Sequence, residues 1–227
     1  MPWLGSQSMS QRGTAMFPQG RTLLCLLLAL TGALLSSCQG QSGDMATPNA
    51  SASRADMAPL VRPLPLVPMA SPMIVEFTLP PPGKSGSSRL FLGIRVLGND
   101  KLDALDAVNE MRRMGLSAEL KLERVDGLQS MPVPLVRLDA ITGDDAQLVP
   151  IGPDGHVPGG WLDEVDYHSL QLAGLYPTDG DYAQLALAWA QAPQPGKYRL
   201  SIRLPLPDPQ LGGNETELLV AYGHKSK

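Results

Sequence analysis

Aromatic, charged and chemically reactive side chains are all scarce in this sequence. Of its 227 residues, 5% are aromatic and 18% are charged, and the histidines number three: His156, His168 and His224. There is no Gly-x-Ser-x-Gly elbow, no His-Glu-x-x-His and no glycine-rich phosphate loop. Their absence removes the signatures of serine hydrolases, zinc proteases and nucleotide-binding enzymes. A formal charge of −4 lacks the basic excess of a general nucleic-acid binder. What is abundant is proline and glycine, 22 and 23 residues, which disfavours a long helical bundle. The length suits one domain with appendages. The composition therefore points to a non-enzymatic protein without a cofactor.

The N-terminal stretch carries Arg12 and Arg21 and no acid, then turns apolar from Thr22 to Leu35. A helix needs about 20 apolar residues to cross a bilayer, so this run is too short to span. A basic segment followed by a short apolar one is the layout of a secretory signal. The run ends in Leu35-Ser36-Ser37-Cys38, which resembles the lipobox of bacterial lipoproteins: an apolar residue, two small ones, then the cysteine. Small residues fit the peptidase, and the thiol accepts the diacylglycerol. Residues 1–37 are then the signal peptide. Their removal leaves 190 residues, 16 basic against 22 acidic, at a charge of −6. Cys25 goes with the signal and Cys38 is acylated, so no internal disulfide and no free thiol remain. The lipoprotein resemblance implies several acyl chains, palmitate among them, and a durable bilayer anchor. Gln39 stands where Asp favours inner-membrane retention, which directs the expectation to the inner leaflet of the outer membrane, facing the periplasm.

Residues 38–72 read as the lipidated Cys followed by a disordered tether rich in Pro, Ser and Ala. Pro48, Pro59, Pro63, Pro65, Pro68 and Pro72 interrupt helices and central strands, and Pro59–Pro68 suggests polyproline II or loose coil. At ~3.1 Å per residue such a tether reaches on the order of 100 Å.

From residue 73 onward the pattern is strand-like. Met73–Leu79 forms one short run. Leu90, Leu92, Ile94 and Val96 share one face, and Ala118, Leu120 and Leu122 alternate with charges. Val133–Leu138 reads as an edge strand because of Pro132 and Pro134. His168–Leu175 reads as a strand with Leu170 and Leu172 inward. Ala183, Leu185, Leu187 and Trp189 alternate, as do Tyr198, Leu200, Ile202 and Leu204, and Leu218, Val220 and Tyr222 close the chain. The prediction is mainly β: residues 73–227 form an antiparallel sandwich of about eight strands, Ig-like or jelly-roll-like, with one wet face on each sheet. One short helix is inserted near 101–114. Asp100 would be its N-cap, Gly115 its C′ residue, and Leu102, Leu105, Val108 and Met111 its apolar stripe.

Candidate sites are few. Asp163, Glu164, Asp166 and His168 are the densest metal-ligand types, weak candidates because a solvated acidic loop leading into a strand accounts for them better; no metal is expected. The loop from His156 to Trp161 could present an aromatic anchor, or Trp161 could plug the end of the core. Leu206 and Leu211, in a proline-rich loop, complete the candidate binding loop set. A glycan site needs exposed aromatics, and only Trp161 and Trp189 follow Cys38, with Trp189 expected inside.

The order of features has a counterpart. Leu90–Val96, the helical insert, Val133-Pro134, the turn Pro195-Gly196-Lys197-Tyr198 and the loop Leu206-Pro207-Asp208-Pro209 together resemble a family of small proteobacterial lipoproteins known only as a domain of unknown function. Leu211-Gly212 stands where that family carries Phe-Gly. The resemblance covers residues 73–227 and brings no catalytic residues. Such lipoproteins are often encoded near type VI secretion effectors that attack lipids, which implies an immunity protein that occludes a toxin. The other expectation is an envelope scaffold or accessory factor binding peptidoglycan, glycan or an assembly component. Labelling with a palmitate analogue in a lipoprotein-processing bacterium tests the anchor: Cys38→Ala should abolish incorporation, and a variant that stays labelled contradicts the lipobox assignment.

Overall fold

The computed structural model describes residues 54–140, 146–176, 181–205 and 215–225. Cys38 and the signal segment lie outside them, as do Leu206 and Leu211. Two antiparallel sheets pack face to face. The larger has seven strands. Six run in the order β1 (Leu60–Pro63), β12 (Thr216–His224), β3 (Gly86–Gly98), β10 (Asp181–Gln191), β6 (Leu135–Ala140) and β7 (Ala146–Pro150), and β9 (Trp161–Leu162) also joins β10. The smaller has five: β2 (Met73–Leu79), β11 (Gly196–Arg203), β4 (Ala118–Asp126) and β5 (Gln129–Val133), with β8 (His156–Val157) also on β4. The expected β-sandwich is therefore present, with twelve described strands rather than eight.

The additional strands come from segments too short or too proline-rich to show a period. The expected Val133–Leu138 strand is two strands. β5 ends at Val133 in the small sheet and β6 begins at Leu135 in the large one, with Pro134 at the crossing. Proline lacks the N–H that a continuous ladder would need there. The expected tether is also corrected over residues 54–72. β1 pairs with β12 from Leu60↔Val220 to Pro63↔Glu217, and Leu60, Leu64 and Leu66 are buried in the core. Proline is tolerated in β1 because that strand is an edge.

The inner faces meet as the alternation predicts. Leu90, Leu92, Ile94 and Val96 of β3 pack with Leu120 and Leu122 of β4 and with Tyr198, Leu200 and Ile202 of β11 in one buried cluster. The outer face of the small sheet is wet and charged. Arg199 bonds Glu76 across the strands at 2.7 Å, and Arg203 forks onto Glu119 at 2.6 Å, which holds the Glu119 carboxyl below its ordinary range.

The large sheet departs from the one-wet-face expectation. Its outer side carries a second buried cluster: Phe91, Ala186, Trp189, Leu219 and Ala221, covered by Val165 and Leu170. A bulge at Leu187 explains part of this. Ala186 pairs with Gly93 but Ala188 pairs with Leu92, so Leu187 is an extra residue in β10. It shifts parity, and Trp189 turns to the outer cluster while Ala188 and Ala190 turn inward. Trp189 is buried as expected, on the opposite face from Leu185.

Two helices flank this sheet. α1 (Lys101–Arg113) packs on β3 and β10. Asp100 accepts the Asp103 N–H at 2.9 Å as N-cap. Its buried stripe is Ala104, Val108 and Met111, while Leu102 is 68% exposed. The three-residue spacing of the expected stripe drifts off the buried face, which follows i, i+4, i+7. α2 (Tyr167–Leu172) replaces the strand expected over His168–Leu175; Leu170 is buried and Leu172 is 77% exposed. Both helices end in the same glycine cap. Gly115 and Gly174 have φ near +68° and +67°. Leu116 N–H then donates to Met111 and Leu175 N–H to Leu170.

A charged clamp fixes the chain beyond α2. Arg95, on the outer side of β3 and 4% exposed, donates to Glu217 at 2.6 Å and to the Leu175 carbonyl at 2.5 Å, and its guanidinium lies 4.1 Å from the Tyr182 ring centre. Removing one partner of such a buried pair costs ~3–5 kcal/mol.

A chain beginning at residue 73 should fold less stably than one beginning at residue 54, because it strips β1 from the outer edge of β12 and removes the buried Leu60, Leu64 and Leu66. Each lost leucine is worth about 2 kcal/mol by buried area. Denaturant midpoints of the two chains check this; equal midpoints contradict the placement of residues 54–72 in the domain.

Candidate functional site

The outer layer of the large sheet leaves a cleft of about 790 Å³. Its apolar lining is Leu105 of α1, Leu162 of β9, Val165, Ala183 and three tyrosines, Tyr167, Tyr176 and Tyr182. Arg89, Lys101, Asp163, Glu164, Asp181 and His224 supply charged and polar groups. Tyr167 and Tyr176 meet edge to face at 4.4 Å, and Gln171 bonds the Tyr167 hydroxyl. Burial raises the Tyr176 phenol above its ordinary value. Burial likewise raises that of Tyr182 against the opposing pull of Arg95. Both stay neutral hydroxyls at neutral pH and offer hydrogen bonds beside a flat apolar ring.

A second recess, of about 520 Å³, lies along the C-terminal half of α1. Asn109, Arg112 and Arg113 line it from the helix, Arg137, Leu138 and Asp139 from β6, and Pro158 to Trp161 from the connection between β8 and β9. Arg137 is paired with Asp139 at 3.0 Å, and Arg113 with Glu110. The Arg112 guanidinium stands 5.4 Å from the Trp161 ring centre and has no carboxylate within 4 Å among the described residues.

The predicted loop residues separate. His156 is exposed and pairs with Glu119 at the end of the small sheet, its backbone N–H bonded to Asp154. Trp161 pairs with Ala186 in the large sheet. Three residues, Pro158 to Gly160, carry the chain from one sheet to the other. Trp161 is half-buried: it packs on the outer cluster, and its indole N–H donates to the Leu138 carbonyl at 2.9 Å. It therefore closes the outer layer with one side and lines the second recess with the other.

The predicted metal-ligand types do not converge. Asp163 spends one carboxylate oxygen on the Trp189 indole N–H and the other on the Glu164 N–H, both at 2.8 Å. Asp166 takes the N-cap position of α2, is 2% exposed, and its Oδ1 has no hydrogen-bond partner among the described residues. It packs toward Gly86, where an added Cβ would meet its other oxygen at 3.5 Å. His168 is exposed on α2, and Glu164 lines the cleft. No three His, Cys, Asp or Glu side chains are grouped to hold a metal among the described residues.

The tyrosines were not legible as a site because each stands just outside an expected strand, and the fold alone brings them together. Their signal was concentration: three of the five tyrosines lie between positions 167 and 182. Comparison with known proteins finds no matching family model, curated protein or solved structure.

Asp163 is assigned a packing role, which yields a measurable cost. Asp163→Ala leaves the buried Trp189 N–H without its acceptor and should destabilise the fold by ~1–3 kcal/mol, with Asp163→Asn costing less because its carbonyl can still accept. Chemical denaturation distinguishes the two; equal losses contradict the assignment.

Proposed function

We propose that this chain is a lipid-anchored envelope protein whose domain binds a protein partner in the periplasm without catalysing a reaction. The carrying observation is the cleft lined by Tyr167, Tyr176, Tyr182, Leu105 and Leu162 and bordered by charges. Tyrosines around an apolar floor with a polar rim are the anatomy of a protein-binding hot spot. Leu162, in the cleft lining, is 39% exposed. The lipobox-like Leu35-Ser36-Ser37-Cys38 supports the anchor, at the inner leaflet of the outer membrane, and residues 38–53 are what is left of the tether. The resemblance to lipoproteins encoded near type VI effectors directs the partner to a lipase-type toxin, whose active site or membrane-docking surface the domain would cover. Occlusion needs no catalytic group, metal or cofactor.

A second reading is an envelope scaffold that binds peptidoglycan or glycan. The tyrosine cluster favours it, since it supplies the aromatic platform that two tryptophans alone did not.

The test is capture of envelope and secreted proteins by the domain, held through its N-terminal side as the tether would hold it. One stoichiometric protein partner, weakened at least tenfold by Tyr182→Ala, is the expected result. Retention on purified peptidoglycan with no protein partner would overturn the protein-binding reading in favour of the scaffold.

A further inference from the structure

The cleft and the arginine-lined recess are one surface. α1 supplies both: Lys101 and Leu105 line the cleft, and Asn109, Arg112 and Arg113 line the recess. Residues 101, 105, 109 and 112 follow the four- and three-residue spacing of a single helix face, beside the buried Ala104, Val108 and Met111 stripe. β9 borders both, with Leu162 on the cleft and Trp161 on the recess, but consecutive strand residues face opposite ways, so α1 is the element that joins the two ends. The two ends differ in chemistry. The cleft end is tyrosine and leucine. The recess end holds three arginines against one aspartate, on a chain whose formal charge is −4.

Arg112 distinguishes the recess from an ordinary solvated face. Its neighbours Arg113 and Arg137 have carboxylate partners. Arg112 has only a 3.5 Å contact with Asn109 and the face of Trp161. An arginine held over an indole keeps its guanidinium edge free to fork onto an incoming carboxylate, while the ring blocks one face from water. Gly159 adds no side chain above the floor, where an added Cβ would meet nothing within 4 Å. The acidic chain as a whole is repelled by anionic lipid, which favours a protein segment over a membrane as the occupant.

We propose that this surface takes an extended segment of a protein partner that pairs an apolar side chain with acidic ones. The apolar side chain seats among Tyr182, Leu105 and Leu162, and a carboxylate reaches Arg112 beside Trp161. Eight residues of α1 separate the midpoints of the two ends. At ~1.5 Å rise each they span about 12 Å, which an extended peptide covers in roughly three to four residues. This rests on the protein-binding reading above and names what such a partner must present.

The test pans a displayed library of random dodecapeptides on the full chain, purified in detergent. Sequences with Asp or Glu three or four residues from an aromatic or aliphatic residue should be enriched. Arg112→Glu should remove the acidic preference, Arg112→Lys should keep it in part, and Tyr182→Ala should weaken the apolar preference. A selected peptide should bind Arg112→Glu at least tenfold more weakly than wild type, with the difference shrinking at high salt. Three results overturn the proposal. The first is enrichment no more acidic than the library, or unchanged in Arg112→Glu. The second is binding to phosphatidylglycerol vesicles through Arg112 with no peptide selected, which makes the recess a lipid contact. The third is retention on purified peptidoglycan through Arg112 with no peptide selected. A captured protein partner that binds Arg112→Glu undiminished leaves the protein-binding reading standing and removes this inference. Arg112-dependent peptides with no captured protein do the reverse.

Discussion

The middle of β3 is buried on both of its faces, and the outer layer of the domain exists because of that. Leu90, Leu92, Ile94 and Val96 fill the space between the sheets, while Phe91 points the other way into a cluster with Trp189 and Leu219. An uncovered outer face would expose a phenylalanine and a tryptophan side by side, a patch that a monomeric domain conceals or uses. The chain conceals it by laying Val165 and α2 across the large sheet, beside the Trp161 ring that β9 contributes from within the sheet. Arg95 then ties the end of that layer down through Glu217 and the Leu175 carbonyl. Trp161 and Trp189 bond outward from the same cluster, to the Leu138 carbonyl and to Asp163.

The proposed binding surface is a by-product of that covering. A layer made of a short connection and a six-residue helix cannot tile a twisted sheet without gaps. The gaps fall where it meets α1: one lined by tyrosines, one by arginines. Side chains that would read as candidate ligands in the sequence are spent on holding the layer in place, Asp163 above all. Those that line the gaps, Tyr176, Tyr182 and Arg112, are held by burial or by a ring rather than by a partner of opposite charge. Rigid elements beneath and an open edge above are what a recognition surface needs to bind without first ordering itself.

The sandwich was legible because most of its strands alternate against solvent on one side. β2, β4 and β11 do so cleanly, and their polar face is wet. α1 was legible from its caps, Asp100 and Gly115, more than from its apolar spacing, which selected Leu102 wrongly. The rest failed for local reasons. The Leu187 bulge moved Trp189 to the other face, and no residue type announces a bulge. α2 imitates a strand because Leu170 and Leu172 are two apart, yet Gly174 was the available signal, standing where a helix C-cap glycine belongs. The prolines between 59 and 68 suggested a tether, but they sit at an edge, where the leucines between them can still be buried. Of the candidate loop, Trp161 reaches the proposed surface and His156 does not. The tyrosine cleft was beyond reach because it is assembled from α1, β9, α2 and β10 across the fold.

The most direct test is hydrogen exchange of the chain alone and bound to a captured protein partner. The account predicts that protection on binding is gained along α1 and across residues 161–176, with the small-sheet strands β2, β4 and β11 unchanged. Protection gained on the charged face of Glu76, Arg199 and Glu123, with α1 and β9 unaltered, would contradict it.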